Sequence, residues 1–97
     1  MSMTNITIYK NEIRDVTISI RDQEDDEFAP THVTSYVVDS ENNTIVNDEE
    51  RQVTTNSISM TIPQTVTSTV GTYYIIWSIY KNESLYRHKT CVTVNDL

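Results

Sequence analysis

Apolar and polar residues alternate with a period of two along most of this chain, in short stretches separated by turn residues. That period places successive side chains on opposite faces of an extended backbone, so it predicts strands rather than helices. Ile6 and Ile8 mark a first segment and Val16, Ile18 and Ile20 a second, with Lys10, Asn11 and Glu12 as the break between them. The run from His32 to Val38, rich in β-branched and aromatic residues, is a third. Ser40 to Asn43 turn it into a short fourth, Thr44 to Val46. Ile58, Met60 and Ile62 alternate up to Pro63, which has no amide proton for a ladder and ends the fifth. Gln64 to Val70 reads as a polar connection. The longest signal runs from Thr72 to Tyr80 behind Gly71, and Lys81 to Ser84 turn it into a seventh segment, Leu85 to Val94.

With no helix to cover a sheet, these segments predict an all-β fold, an antiparallel β-sandwich of about seven strands, since a single open sheet would leave an apolar face wet. Residues 1–97 are expected to form one such domain, because the chain has no linker-like stretch on which to divide. The inward sets are Val16/Ile18/Ile20, Ile58/Met60/Ile62 and Tyr73/Ile75/Trp77/Ile79. Alternation then sends Tyr74, Ile76, Ser78 and Tyr80 outward, joined by Leu85, Arg87 and Lys89 from the last segment. Tyr, Arg and exposed Ile are residue types of protein interfaces, which makes Tyr74, Ile76, Tyr80, Arg87 and Lys89 the candidate contact surface. Two other readings stay open: another part of the chain covers them, or the register is off by one.

Charge adds a second feature. Seven Lys and Arg oppose 14 Asp and Glu, for a formal net charge of -7. No basic stripe exists to displace counterions from phosphate, so no nucleic-acid partner is expected. Asp22, Glu24, Asp25, Asp26 and Glu27 crowd the connection between the second and third segments. In a seven-strand sandwich the loops after the second, fourth and sixth strands emerge at one end, so Asp48, Glu49, Glu50 and Glu83 are expected to join them in an acidic pole. The pole has three readings: a solvated loop cluster, a site for a hard cation such as Ca²⁺, or a surface complementary to a basic patch on a partner. The spacing matches no defined calcium loop and offers no glycine for the turn.

Little points to chemistry. His32 and His88 are the only histidines and Cys91 the only cysteine, and no nucleophile elbow or glycine-rich phosphate loop is present. No enzymatic activity, cofactor or metal is expected; both histidines read as ordinary strand residues, His88 at the sheet surface. One cysteine allows no disulfide within the chain, which fits a reducing compartment. Met1 to Lys10 lacks the apolar core of a signal peptide, and no stretch approaches 18 apolar residues. A soluble protein made in the cytoplasm, without membrane contact, is the expectation. N-x-S/T triplets at Asn5, Asn42 and Asn82 carry no weight, because about two would arise by chance from 8 Asn and 24 Ser or Thr.

Gly71-Thr72-Tyr73-Tyr74-Ile75 resembles the G-x-Y-x-C segment of immunoglobulin-like domains. The resemblance implies that Tyr73 begins a strand and ties its hydroxyl back to the preceding corner. Ile75 stands where that family has its second cysteine, with Ile18 or a neighbour in place of the first, and the lone tryptophan, Trp77, lies on the sixth strand rather than the third. Over most of its length the chain also resembles the small immunoglobulin-like structural proteins of tailed-phage virions. The pattern Y-x-x-(D/E)-x-x-x-(V/I)-T-I-x-(I/L)-x-D matches Tyr9 to Asp22, T-x-V-x-x-x-V corresponds to Thr31 to Val38, and G-x-Y-x-(I/Y)-x-W-x-I with its following turn and strand matches Gly71 to Val94.

That resemblance implies a virion protein without chemistry, most simply a capsid decoration or cement protein. Its partners would be the major capsid protein or other virion proteins, met by oligomeric or lattice-bound copies whose weak contacts add up through repetition. A neck- or tail-associated component is the structural alternative, and a free binding module such as an inhibitor or adhesin the alternative from another class.

Overall fold

A computed structural model describes residues 2–19, 30–54 and 57–97. It contains seven strands, β1 (Ser2–Tyr9), β2 (Arg14–Ser19), β3 (His32–Asp39), β4 (Thr44–Thr54), β5 (Ser57–Ile62), β6 (Gly71–Lys81) and β7 (Ser84–Asn95), with a single helical turn, α1 (Gln64–Thr67), between β5 and β6. Every segment marked by alternation is a strand. Ile20, the last of the inward residues expected on the second segment, lies outside the described residues.

The strands follow one another in the order β1-β7-β6-β3-β4-β5-β2. One layer is β1, β7, β6, β3 and the first part of β4; the other is the end of β4, β5 and β2. The pairing is antiparallel, as expected of the sandwich, except at one place: β1 runs parallel to β7. The first strand enters the layer beside the last, and a chain returning through five intervening strands arrives there in the same direction.

The fourth strand is longer than alternation alone predicts and does two jobs. Val33 to Ser35 pair with Arg51 to Glu49, whereas Gln52 to Thr54 pair with Ser59 to Ser57 of β5. Between Ser35/Glu49 and Val38/Thr44 the ladder slips twice, and at each slip β4 holds one residue more than β3. Such bulges bend and twist a strand, which is how one strand turns a corner between two layers. Arg51 holds the corner. Its Nε donates to Ser35 Oγ at 2.7 Å and its Nη2 to the Ser35 carbonyl at 3.0 Å, while Glu49 lies 3.5 Å from Nη1. Ser35 is fully buried, and its hydroxyl also reaches Met60 Sδ in the opposite layer at 3.3 Å.

The core between the layers holds the residues that period two points inward. Trp77, Ile75, Ile58 and Ile62 are completely buried, with Val16, Met60, Tyr73 and Ile79 nearly so and Ile18 packed against them. Trp77 donates its indole N–H to Thr90 Oγ1 at 2.9 Å, so its one polar atom is satisfied inside the core. The connection after β5 is less polar in its packing than in its sequence: Val66 and Thr67 are fully buried and close one end of the sandwich. Thr67 Oγ1 donates to the Glu12 carbonyl at 2.6 Å, and the Asn11 amide donates to the Thr67 carbonyl at 2.9 Å. Tyr73 donates its hydroxyl to the Thr69 carbonyl at 2.8 Å, forming the corner that the resemblance implies.

A chain with one glycine still needs left-handed turn residues, and asparagine supplies them. Asn11, Asn42 and Asn82, in the turns after β1, β3 and β6, have φ of 68°, 68° and 55°. Asparagine tolerates this region better than other residues with a side chain. Two of the three glycosylation-type triplets therefore hold an asparagine whose backbone serves a hairpin.

Replacing Arg51 with alanine should leave the buried Ser35 carbonyl without its charged donor and cost about 1.5–3 kcal/mol. Urea denaturation checks this, with Tyr73→Phe as a milder comparison at about 1 kcal/mol.

Candidate interaction face

The outward side of β6 is the side expected. Tyr74, Ile76, Ser78 and Tyr80 face away from the core, opposite Cys91, Lys89, Arg87 and Leu85 of β7 and opposite Val38, Tyr36, Thr34 and His32 of β3. The structure thus brings all five candidate contact residues, Tyr74, Ile76, Tyr80, Arg87 and Lys89, onto one face. It also adds members that the alternation of β6 and β7 alone does not show: His32, Tyr36 and Val38, which arrive because β3 is the neighbour of β6.

This face is packed on itself rather than loosely exposed. The His32 and Tyr80 rings stack at 4.3 Å with an 11° tilt. Lys89 Nζ sits 4.9 Å from the centre of the Tyr74 ring, within cation–π range. Val38 is only 5% exposed although it lies outside the core cluster, and Ser78 is buried as well. Tyr74, Ile76 and Tyr80 are half-buried, Arg87 is exposed, and Leu85 stands 47% exposed at the hairpin end. Neighbours that restrain these rings in advance reduce the ordering cost of a contact made through them.

One margin of the face is concave. Tyr36, Val38, Asn42, Thr44 and Asp48 line an open hollow of about 420 Å³ beside the turn after β3. Asp39 shapes that turn: its carboxylate accepts from the amides of Glu41 and Asn43, each at 2.9 Å. The Asn43 amide is foremost in holding the Asp39 carboxyl below its ordinary value of 3.8.

The acidic pole is corrected in part. Asp22, Glu24, Asp25, Asp26 and Glu27 lie outside the described residues. Asp48, Glu49 and Glu50 do not belong to a loop at all: they are mid-strand in β4, where Glu49 pairs with Ser35 and Glu50 with Thr34. Glu83 does lie in the turn between β6 and β7. A run of acids disfavours a strand by propensity, but pairing with β3 overrides it, and both faces of this strand meet water. Asp48 accepts from Thr34 Oγ1 at 3.5 Å, so it borders the outer face on the side opposite Arg87 and Lys89. The face is therefore polarised, cationic toward β7 and acidic toward β4. Among the described residues no three His, Cys, Asp or Glu side chains gather as a metal-binding group.

His88 is also corrected. It pairs with Trp77 and so turns to the inner side of its layer, near the edge, instead of the outer surface. Its Nε2 lies 3.3 Å from Thr4 Oγ1, which is 3.0 Å from Thr90 Oγ1. One donor order satisfies the whole row: Trp77 to Thr90, Thr90 to Thr4, and Thr4 to a neutral His88. Burial lowers the His88 pKa from its ordinary 6.5. A lowered imidazole pKa means the folded state resists protonation, so its contribution is complete above about pH 6.5 and declines as pH falls below that. The melting temperature should follow this course, and His88→Asn should flatten the decline in the mildly acid range.

No family model matches the chain, and no curated protein does. Solved structures do. A fibronectin(III)-like module of Clostridium thermocellum CbhA superimposes with a TM-score of 0.53 at 12% identity, covering 99% of this chain and 92% of that one. A family 123 glycoside hydrolase from Clostridium perfringens, studied for glycolipid glycan hydrolysis, gives a TM-score of 0.55 at 10% identity; it covers 100% of this chain but only 23% of its own. At such identity the likeness is one of fold. The chain has an all-β, immunoglobulin-like sandwich fold.

Proposed function

We propose that this protein is a non-enzymatic binding module that docks on a protein partner through the outer face of β3, β6 and β7, and that it serves as a capsid decoration protein of a tailed phage. The observation that carries the docking reading is the composition of that face. The centre of a solvent-facing sheet is ordinarily polar, whereas here Tyr36, Val38, Tyr74, Ile76 and Tyr80 form a contiguous apolar and aromatic strip. Arg87 and Lys89 flank it on one side, and the hollow beside Tyr36 offers a place for one protruding side chain of the partner. Its polarised charge sets the orientation of docking more than its strength. The virion assignment rests on the resemblance of Tyr9 to Asp22, Thr31 to Val38 and Gly71 to Val94 to phage immunoglobulin-like proteins, together with a single cysteine.

Tyr74→Ala with Tyr80→Ala should weaken capture by purified capsids roughly thirtyfold, corresponding to about 2 kcal/mol for two central contacts, while the circular-dichroism spectrum stays that of a β-protein. A folded double variant that binds as tightly as the parent removes the docking face. Immunogold labelling of whole particles tests the location: label across the shell supports decoration, a single ring moves the protein to the neck or tail, and unlabelled particles leave a free binding module.

A further inference from the structure

Three strand edges of six residues or more have no backbone partner among the described residues: β1 on the side away from β7, β2 on the side away from β5, and Thr44 to Arg51 of β4 on the side away from β3. An edge presents a row of free N–H and C=O groups that accept a further strand, and proteins block it with charge, proline, bulges or shortness. Two of these edges are blocked. The β4 edge carries Asp48, Glu49 and Glu50 and two bulges. The β2 edge is six residues long and opens with Arg14 and Asp15.

Nothing among the described residues blocks the β1 edge. Ser2–Tyr9 is eight residues of high strand propensity with no charge and no proline. Its register with β7 runs without interruption from Ser2/His88 to Tyr9/Asn95, so no bulge turns it aside. Nor does β2 close over it: a cleft of about 200 Å³, lined by Ile6, Thr7, Ile8 and the β2 residues Arg14 to Thr17, lies between the two strands.

We propose that β1 pairs antiparallel with β1 of a second copy about a twofold axis, joining two outer layers into one continuous sheet. Charge selects a second copy and this edge. A twofold contact sets residue i of one strand against residue j of the other and j against i, so a run of like charges on the strand meets the same run on its copy. The β4 edge would oppose three carboxylates to their own copies, in a protein whose net charge is already -7. Of the three edges only β1 carries no charge at all. Asn5 and Thr7, exposed and paired with Cys91 and Thr93 on the outer side, would meet their counterparts as uncharged hydrogen-bonding pairs, while Ile6 and Ile8 stay turned to the core. The joined sheet would carry two copies of the proposed docking face, although the pairing itself does not depend on that face.

Sedimentation equilibrium of the full chain across the micromolar range tests this. The expected mass at the upper end is twice the 11.2 kDa of one chain, with the dimer fraction rising as added salt screens the repulsion between two acidic copies. Asn5→Lys with Thr7→Lys should sediment as a monomer with an unchanged β-type spectrum, and Glu50→Lys should remain a dimer. A parent chain that stays monomeric throughout overturns the proposal, as does a folded double-lysine variant that still dimerises. Loss of the dimer in Tyr74→Ala with Tyr80→Ala would show self-association through the outer face and overturn it equally. Failure of capsid capture, by contrast, leaves the dimer measurement unaffected.

Discussion

The architecture depends on β4 belonging to two layers at once. Its first part completes the layer of β1, β7, β6 and β3, and its last three paired residues begin the layer of β5 and β2. Two bulges supply the bend, and the guanidinium of Arg51 pins the bent strand to Ser35 at the crossing. Because Ser35 is fully buried and also touches Met60 across the core, this small polar set fixes the spacing of the layers where they are covalently continuous. A chain bent elsewhere would carry β5 and β2 away from the apolar side of β6.

With the corner in place, β6 becomes the middle of the molecule. Its inner side puts Tyr73, Ile75, Trp77 and Ile79 into the core, and its outer side carries the proposed contact strip. One strand thus couples stability and recognition through the same backbone. The internal hydrogen bonds of Trp77 and Tyr73 hold that backbone from beneath, so the outer tyrosines are displayed by a rigid element rather than a loop. The stacked His32/Tyr80 pair and the Lys89/Tyr74 contact restrain them from above.

Charge in this protein acts mainly by exclusion. Asp48, Glu49 and Glu50 line a free edge, where like-charge repulsion prevents uncontrolled strand addition. The β1 edge is the uncharged exception among the three, and the proposed self-pairing rests on that contrast. Asparagine plays a comparable positional part, placing left-handed residues at three turns, two of them hairpins, in a chain that contains one glycine.

Much of this was legible in the chain before folding. Period-two alternation located all seven strands and gave the inward and outward sides of β6, while the resemblance of Gly71 to Ile75 to immunoglobulin-like domains implied the corner hydrogen bond. The signal is local, because a strand's pleat imposes it on adjacent residues whatever lies nearby. It failed where neighbours decide. Asn47 to Arg51 look like a loop because acids disfavour strands, yet pairing with β3 extends β4 through them. Val66 and Thr67 look like a polar tract, yet they close the end of the core. His88 looks like a surface residue, yet its register against Trp77 turns it inward. The sequence alone determined strand positions, facing and charge. Only the tertiary structure decided that β1 lies parallel to β7, that His32, Tyr36 and Val38 join the face of β6, and that no described strand pairs with the outer edge of β1, because each depends on which strands become neighbours, and contacts between residues far apart in the chain leave no period in it.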